Sequence, residues 1–128
     1  MRIEHIALQV NDPDAVAEWY VRHLGMTVVR HVGGPSRTYF LGDDNNQTLI
    51  EIYHNPSAPL PDYASMDPLL LHIAFSASDI ASARARLIEA GCVPVGGIAT
   101  TPAGDQLCML RDPWGLAIQL ARRAALLS

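Results

Sequence analysis

Four polar residues recur at matched places in the two halves of the sequence. His5 and His72 open the similar segments HIALQVND and HIAFSASD, at an offset of 67 residues from 72 − 5. Glu51 and Gln119 lie in LIEI and AIQL, at an offset of 68 from 119 − 51. Imidazole nitrogens and carboxylate or amide oxygens are donors that divalent transition metals accept, and a carboxylate can also transfer a proton. These residue types favour metal binding and acid–base chemistry.

The segments around these residues predict two copies of a β-α-β-β-β unit. In the first copy, alternating or β-branched stretches predict four strands: RIEHIALQV, MTVVRHV, SRTYFLG and QTLIEIY. After the first of these strands, Asp12 caps a stretch with helical spacing of apolar residues, which predicts the helix DAVAEWYVRHLG. The second copy repeats that order. It begins with the strand LLLHIAFSA, continues with the helix DIASARARLIEAG that Asp79 opens, and ends with strands near 92–99, 105–111 and 115–122. We therefore predict one α+β domain over residues 1–128, with a first module at 1–54, a connector at 55–68 and a second module at 69–123.

Strand parity predicts where the polar side chains point, because alternate residues of a strand face opposite sides of a sheet. Ile6, Leu8 and Val10 form an apolar face that the first helix can cover, which leaves His5 on the other face. The same count places the other three polar residues away from the helices, beside small side chains: Glu51, His72 and Gln119, with Ala7, Ala74, Ala117 and Ala121. We expect a curved, partly open mixed sheet with helices on its convex face and a hollow inner face for a small molecule.

Composition narrows the class of protein. With 128 residues and 49% hydrophobic content, the chain can bury one substantial core. The net charge of −4 comes without a basic run, so we expect neither nucleic acid nor a membrane as a partner. Glu4 and His5 interrupt the apolar stretch that a signal peptide requires, which predicts a cytoplasmic protein. Cys92 and Cys108 lack metal-type spacing and are expected as buried thiols.

The repeat, the segment WYVRHLGMTVVR, the ending RDPWGLAIQL and the His/Glu/His placements resemble the vicinal-oxygen-chelate superfamily. That superfamily includes glyoxalase I, methylmalonyl-CoA epimerase, extradiol dioxygenases, and bleomycin- and fosfomycin-resistance proteins. In glyoxalase-like members, the first and last strands of each module each supply one metal ligand. The resemblance therefore implies one divalent transition metal, namely Zn, Ni, Co, Mn or Fe(II), held by four residues: His5, Glu51, His72 and Gln119.

Two positions depart from the glyoxalase pattern. Gln119 stands where bacterial glyoxalases look to have Glu, and a neutral amide can bind a metal but cannot act as a base near neutral pH. The resemblance also places Gln9 at the position where glutathione-using glyoxalases have an Arg that binds the glutathione carboxylate. We therefore predict a glyoxalase-like lyase or isomerase that acts on a small oxygenated substrate other than a glutathione adduct. Its reaction passes through a metal-stabilised enediolate or enolate, and Glu51 is the expected proton-transfer residue.

Other functions and contacts stay open. A non-catalytic binding protein of the bleomycin-resistance type is favoured by Gln119 and opposed by the His/Glu/His set. An Fe(II) ring-cleaving dioxygenase using His5, Glu51 and His72 is opposed by the short chain. Arg37 and Tyr39 share parity on one strand and are candidates to contact a substrate anion or ring, or else belong to an exposed edge strand. Because an open sheet leaves bare edges, a homodimer is expected.

Overall fold

The chain folds as two tandem modules with the same order of elements. The structure, a computed structural model that describes residues 1–127, divides into compact units of residues 1–61 and of the chain from Asp62 onward. The elements of the first module are β1 (His5–Gln9), α1 (Pro13–Leu24), β2 (Thr27–Val32), β3 (Thr38–Gly42) and β4 (Leu49–Tyr53). The second unit contains a 3-10 helix (Tyr63–Ser65), β5 (Ile73–Ser76), α2 (Ile80–Glu89), β6 (Val93–Thr100), β7 (Gln106–Arg111) and β8 (Ala117–Arg122). The predicted α+β class and the two βαβββ modules are confirmed.

Each module builds one four-stranded mixed sheet with the same topology. The strand orders are β1-β4-β3-β2 and β5-β8-β7-β6, in which the first and last strands of each module pair in parallel and the other pairs are antiparallel. Ala7 pairs with Glu51 in the first sheet, and Ala74 pairs with Gln119 in the second. The repeat in the sequence is therefore a repeat in backbone register.

The core of the first module lies between α1 and its sheet. Asp12 begins the helix by accepting a hydrogen bond from the Ala15 amide at 3.2 Å, and Gly25 ends it with a φ of 69° that favours glycine. The helix packs against β2, β3 and β4, and buries apolar residues on both sides of the contact: Leu8, Val16, Tyr20, Leu41 and Ile52. Ile6 was expected under the helix but is 53% exposed, because the helix covers the later strands and not the start of β1.

The second module repeats this arrangement around α2. Asp79 caps the helix by accepting from the Ser82 amide at 3.0 Å, and the helix packs on β6, β7 and β8. Cys92 and Cys108 are free thiols in this core, with exposures of 4% and 3%, as predicted. Burial, aided by the negative charge of Asp112, raises the pKa of Cys92 to about 12.

The first part of the connector is bound to the first module by Gln9. The buried Gln9 amide nitrogen donates to the Asn55 carbonyl at 2.6 Å and to the Ala58 carbonyl at 3.1 Å. Its amide oxygen accepts from the Asn55 backbone N–H at 2.7 Å. Both ends of this side-chain amide are thus used to hold the connector.

The second part of the connector is bound to the second module by Arg111. Its guanidinium donates to the carbonyls of Tyr63 at 3.0 Å, Met66 at 2.8 Å and Gly115 at 3.0 Å. Gly115 has a φ of 95°, and a Cβ there would lie 2.7 Å from the Ala64 backbone nitrogen. Glycine is therefore required where the 3-10 helix meets the turn between β7 and β8. Among the described residues, no helix is long and apolar enough to cross a membrane.

Candidate metal centre

Three side chains meet on the face of the first sheet that α1 does not cover. His5 begins β1, and its Nε2 lies 3.7 Å from Oε2 of Glu51 in β4. Phe40 in β3 is directly opposite Glu51, and its ring meets the His5 ring edge to face with centroids 5.7 Å apart. The gap between His5 and Glu51 exceeds hydrogen-bonding distance. The predicted pair is therefore close together but not directly bonded.

The second nitrogen of His5 is held by a residue that the sequence had not suggested. His5 Nδ1 lies 2.8 Å from Oε1 of Glu4. Because a carboxylate only accepts hydrogen bonds, His5 Nδ1 must carry the proton. In the neutral imidazole, the lone pair of Nε2 then points toward the Glu51 carboxylate. Two electron-rich atoms facing each other across 3.7 Å form a place for a cation.

The second module carries the matched residues at equivalent positions of the repeat. His72 comes directly before β5, is half-buried, and donates from Nδ1 to the Pro68 carbonyl at 2.8 Å. Its Nε2 is therefore also the nitrogen left with a lone pair. Gln119 lies in β8 between Ala74 and Met109 of the neighbouring strands, and within residues 1–127 its amide makes no hydrogen bond. This half of the predicted ligand set is uncharged.

Neither module alone provides a full set of metal ligands. In the part of the chain that the structure describes, no group of three or more His, Cys, Asp or Glu side chains is arranged to hold a metal ion. The first module brings His5 and Glu51 together, and the second carries His72 and Gln119 at equivalent positions. Metal binding by all four residues stays a prediction.

Arg37 and Tyr39 lie on the helix side of the first sheet, away from His5 and Glu51. Tyr39 is opposite Ile52, and its hydroxyl donates to Asp14 in the first turn of α1 at 2.7 Å. Arg37 has a φ of 46° and donates to the same carboxylate at 2.9 Å. The Tyr39 hydrogen bond, and then Arg37, lower the pKa of Asp14, while Asp14 raises the pKa of Tyr39. A role for either residue in substrate binding stays a prediction.

The second module contains space for a small molecule. A cavity of about 500 Å³ is lined by the ends of β5 and β8, the following loop and the chain near Leu126. Ala74, Ser76 and Ala121 contribute to it, and Arg122 brings a cation to its wall. His72 and Gln119 do not line this cavity, so it is separate from the residues predicted to bind the metal.

The sequence missed two contributors to the site for different reasons. Phe40 follows from strand parity once the register of β3 against β4 is known, but the length of the turn between them sets that register. Strand parity would place Glu4 on the opposite side of the sheet from His5. Glu4 lies before the first residue of β1, however, so the alternation of a strand does not apply to it. Its proximity to His5 in sequence was the only signal.

Comparison with known proteins identifies the family. The family model described as the Glyoxalase/Bleomycin resistance protein/Dioxygenase superfamily matches residues 2–120. No curated protein matches the chain by sequence. A glyoxalase family protein from Bacillus cereus is similar in structure, with a TM-score of 0.81, 18% identity, and coverage of 98% of this chain and 95% of the other.

Two further solved structures share the fold. TnmS3, an antibiotic binding protein from Streptomyces sp. CB03234, has a TM-score of 0.73 at 22% identity, with 97% of each chain covered. A mutant of glyoxalase I from Zea mays has a TM-score of 0.76 at 22% identity, and the match covers 97% of this chain and 46% of the maize chain. The family match extends over nearly the whole sequence and agrees with the resemblance drawn from its motifs. The chain belongs to the glyoxalase, bleomycin resistance protein and dioxygenase superfamily.

Proposed function

We propose that the protein is a divalent-metal-dependent lyase or isomerase of the glyoxalase type, acting on a small oxygenated substrate. The observation that carries the proposal is the 3.7 Å gap between His5 Nε2 and Glu51 Oε2, with the His5 proton held on the far side of the ring by Glu4. With the proton on Nδ1, the lone pair of Nε2 and the Glu51 carboxylate oxygen are both donors that a cation between them would bind.

The residues fit such a cation. Metal bonds to imidazole nitrogen and carboxylate oxygen are about 2.0–2.2 Å long, so one ion can reach two atoms up to about 4 Å apart. The His5–Glu51 gap of 3.7 Å is within that span. His72 and Gln119 add a neutral nitrogen and a neutral oxygen, and the mixed set suits Zn, Ni, Co, Mn or Fe(II).

Each residue has a distinct role in the proposal. When bound, the metal would hold two neighbouring oxygens of the substrate and acidify the C–H bond beside them. Glu51 would take that proton and return it at the neighbouring carbon. His5 and His72 would hold the ion through their Nε2 atoms. Gln119 would hold it through its amide oxygen and take no part in proton transfer.

Glutathione adducts are poor substrates in this proposal. Gln9 stands at the position where the resemblance implies an Arg in glutathione-using enzymes, and its side chain is uncharged and buried. Its amide is engaged by the backbone of Asn55 and Ala58. A substrate carboxylate would meet neither a cation nor a free donor there.

The deciding experiment is elemental analysis of protein purified without an affinity tag, followed by titration with Zn, Ni, Co or Mn. We expect about one metal ion per chain, and a severe loss of affinity in His5→Ala and in His72→Ala. His54→Ala is the matched control, because His54 also donates from Nδ1 to a carbonyl, that of Val10 at 2.8 Å, but is outside the proposed set. Protein that contains no metal and takes up none would overturn the proposal.

A non-catalytic binding protein is the second candidate. It is supported by the uncharged Gln119, by the cavity in the second module and by the structural similarity to TnmS3, an antibiotic binding protein. A screen of small oxygenated substrates with the metal restored separates the two functions. Tight binding of a compound that is recovered unchanged would favour sequestration, and ring cleavage with Fe(II) and oxygen would favour a dioxygenase.

We also propose a homodimer. β1 and β5 each hydrogen-bond to one neighbouring strand in the described residues, and Ile3 and Ile6 at the start of β1 are 65% and 53% exposed. Pairing between two copies would cover such edges and side chains. Light scattering is expected to give twice the chain mass of 13.9 kDa, and a particle of the single chain mass at micromolar concentration would contradict this.

A further inference from the structure

We infer that Glu4 is a positioning residue that keeps the metal-binding nitrogen of His5 free. The inference rests on the proposed function and extends it to a residue outside the proposed ligand set. The Glu4 carboxylate bonds to His5, and among the described residues no hydrogen bond or ion pair joins it to Glu51. Its effect on a bound metal would therefore pass entirely through the imidazole of His5.

The geometry gives each nitrogen of His5 its own carboxylate. Nδ1 is 2.8 Å from Glu4 Oε1, within the range of a charge-assisted hydrogen bond, and Nε2 is 3.7 Å from Glu51 Oε2. The two carboxylates therefore compete for the single proton of the neutral ring. The shorter contact gives that proton to Glu4 and leaves Nε2 facing Glu51 with its lone pair.

Without Glu4, His5 could instead carry its proton on Nε2, and that tautomer would block metal binding. A proton on Nε2 could be donated to Glu51, which would turn the gap into a hydrogen bond and occupy both ligand atoms at once. A carboxylate at the outer nitrogen prevents this and fixes the plane of the ring, as residues behind metal-binding histidines generally do.

Glu4 can select the tautomer of His5 although its side chain is exposed to solvent. The Glu4 side chain is 73% exposed, so its ion pair with His5 contributes little to the stability of the fold. The selection between two tautomers requires only a modest difference in energy, because either nitrogen of a neutral imidazole can carry the proton. The equivalent histidine of the second module, His72, is held by the Pro68 carbonyl, which no side-chain substitution removes.

The test compares Glu4→Ala, Glu4→Gln and the natural protein, with Glu18→Gln as a control at an exposed position of α1. Nitrogen-15 NMR of the imidazoles in metal-free protein reports the tautomer. We expect His5 to carry its proton on Nδ1 in the natural protein and on Nε2, or on both in exchange, in Glu4→Ala. Titration with Zn or Co is expected to show about tenfold weaker binding in Glu4→Ala.

Glu4→Gln distinguishes positioning from charge. Its amide oxygen still accepts a hydrogen bond, so we expect the Nδ1–H tautomer and most of the metal affinity to remain, while Glu18→Gln changes neither. An unchanged tautomer in Glu4→Ala, or a changed tautomer with metal affinity within twofold of the natural protein, overturns the inference. If no variant binds metal but Glu4→Ala alone shifts the tautomer, the proposed function fails and the control of His5 by Glu4 is supported.

Discussion

The two modules share a backbone register but differ in the charge that they place on it. Around His5, the first module has two carboxylates, Glu4 and Glu51. At the matched places around His72, the second module has the Pro68 carbonyl and the amide of Gln119. A repeat can thus keep its strand pairing while one copy retains the acid–base groups and the other keeps only neutral donors. In the proposed function, this difference places the proton-transfer group in the first module.

The largest expected effect comes from exchanging the acid and the amide. Glu51→Gln should lower turnover about 10²–10⁴-fold, because it removes the only carboxylate in the proposed set. Gln119→Glu should preserve or strengthen metal binding, because it adds an anionic oxygen ligand. Initial rates with the substrate found by screening, together with metal affinities, measure both effects.

The circular dichroism spectrum should be unchanged in both variants, which is the control for folding. Activity with the methylglyoxal–glutathione adduct should be negligible in the natural sequence, which has uncharged Gln9 and Gln119. Full turnover in Glu51→Gln, or efficient use of that adduct, would show that the proton-transfer group lies elsewhere.

A second difference between the modules is the group that holds the connector. Arg111→Ala in the second module leaves the carbonyls of Tyr63, Met66 and Gly115 without their charged donor. We expect the free energy of unfolding to fall by about 2–4 kcal/mol, since hydrogen bonds to charged groups are among the stronger ones. Urea denaturation measures this loss. Arg111→Lys should recover only part of it, because an ammonium cannot reproduce the guanidinium fork.

The corresponding change in the first module is Gln9→Ala, with a smaller expected loss of about 1–3 kcal/mol because the donor is neutral. Ser76 occupies the equivalent position of the repeat and is exposed, and within residues 1–127 its hydroxyl makes no hydrogen bond. Ser76→Ala is therefore the matched control and should change stability by less than about 0.5 kcal/mol. Equal losses in Gln9→Ala and Ser76→Ala would refute a specific role of Gln9 in holding the connector.

The smallest effect concerns one carboxylate in each module. The Tyr39 hydroxyl lowers the pKa of Asp14, and the Ala124 backbone N–H, then Arg123, lower the pKa of Asp105. Since both pKa values are depressed below the ordinary 3.8, each contribution to stability is complete above about pH 4. It is lost as the pH falls through the lowered values. Carbon-13 NMR titration should show the Asp14 pKa rising in Tyr39→Phe while that of Asp105 does not move.

The sequence predicted the scaffold well because the repeat supplied two independent readings of each element. The match of HIALQVND with HIAFSASD correctly placed Asp12 and Asp79 at the starts of the two helices. Local patterns of this kind depend on residues close in sequence, which parity and capping rules describe.

Contacts between distant residues were not predictable in the same way. Tyr39 meets Asp14 and Gln9 meets Asn55 because of how a helix and a connector lie on the sheet, which neither strand parity nor composition specifies. The exposure of Ile6 has the same origin, since parity gives the face of a residue but not how far a helix extends over that face. The charged surroundings of His5 were underestimated for a local reason, because Glu4 lies just outside the strand.

The two buried thiols can report on the unfolding of the second module, because both lie in it. Both cysteines of the chain, Cys92 and Cys108, belong to the second module, and the first module has none. At neutral pH a thiol with a pKa of about 12, such as Cys92, contains almost no reactive thiolate, so an alkylating reagent should label it only after that core opens. The rate of alkylation at increasing urea can be compared with the fluorescence of Trp19 in α1, measured in a Trp114→Phe variant so that the signal comes from the first module alone. The comparison would reveal whether the two halves of the repeat unfold as one cooperative unit or in succession.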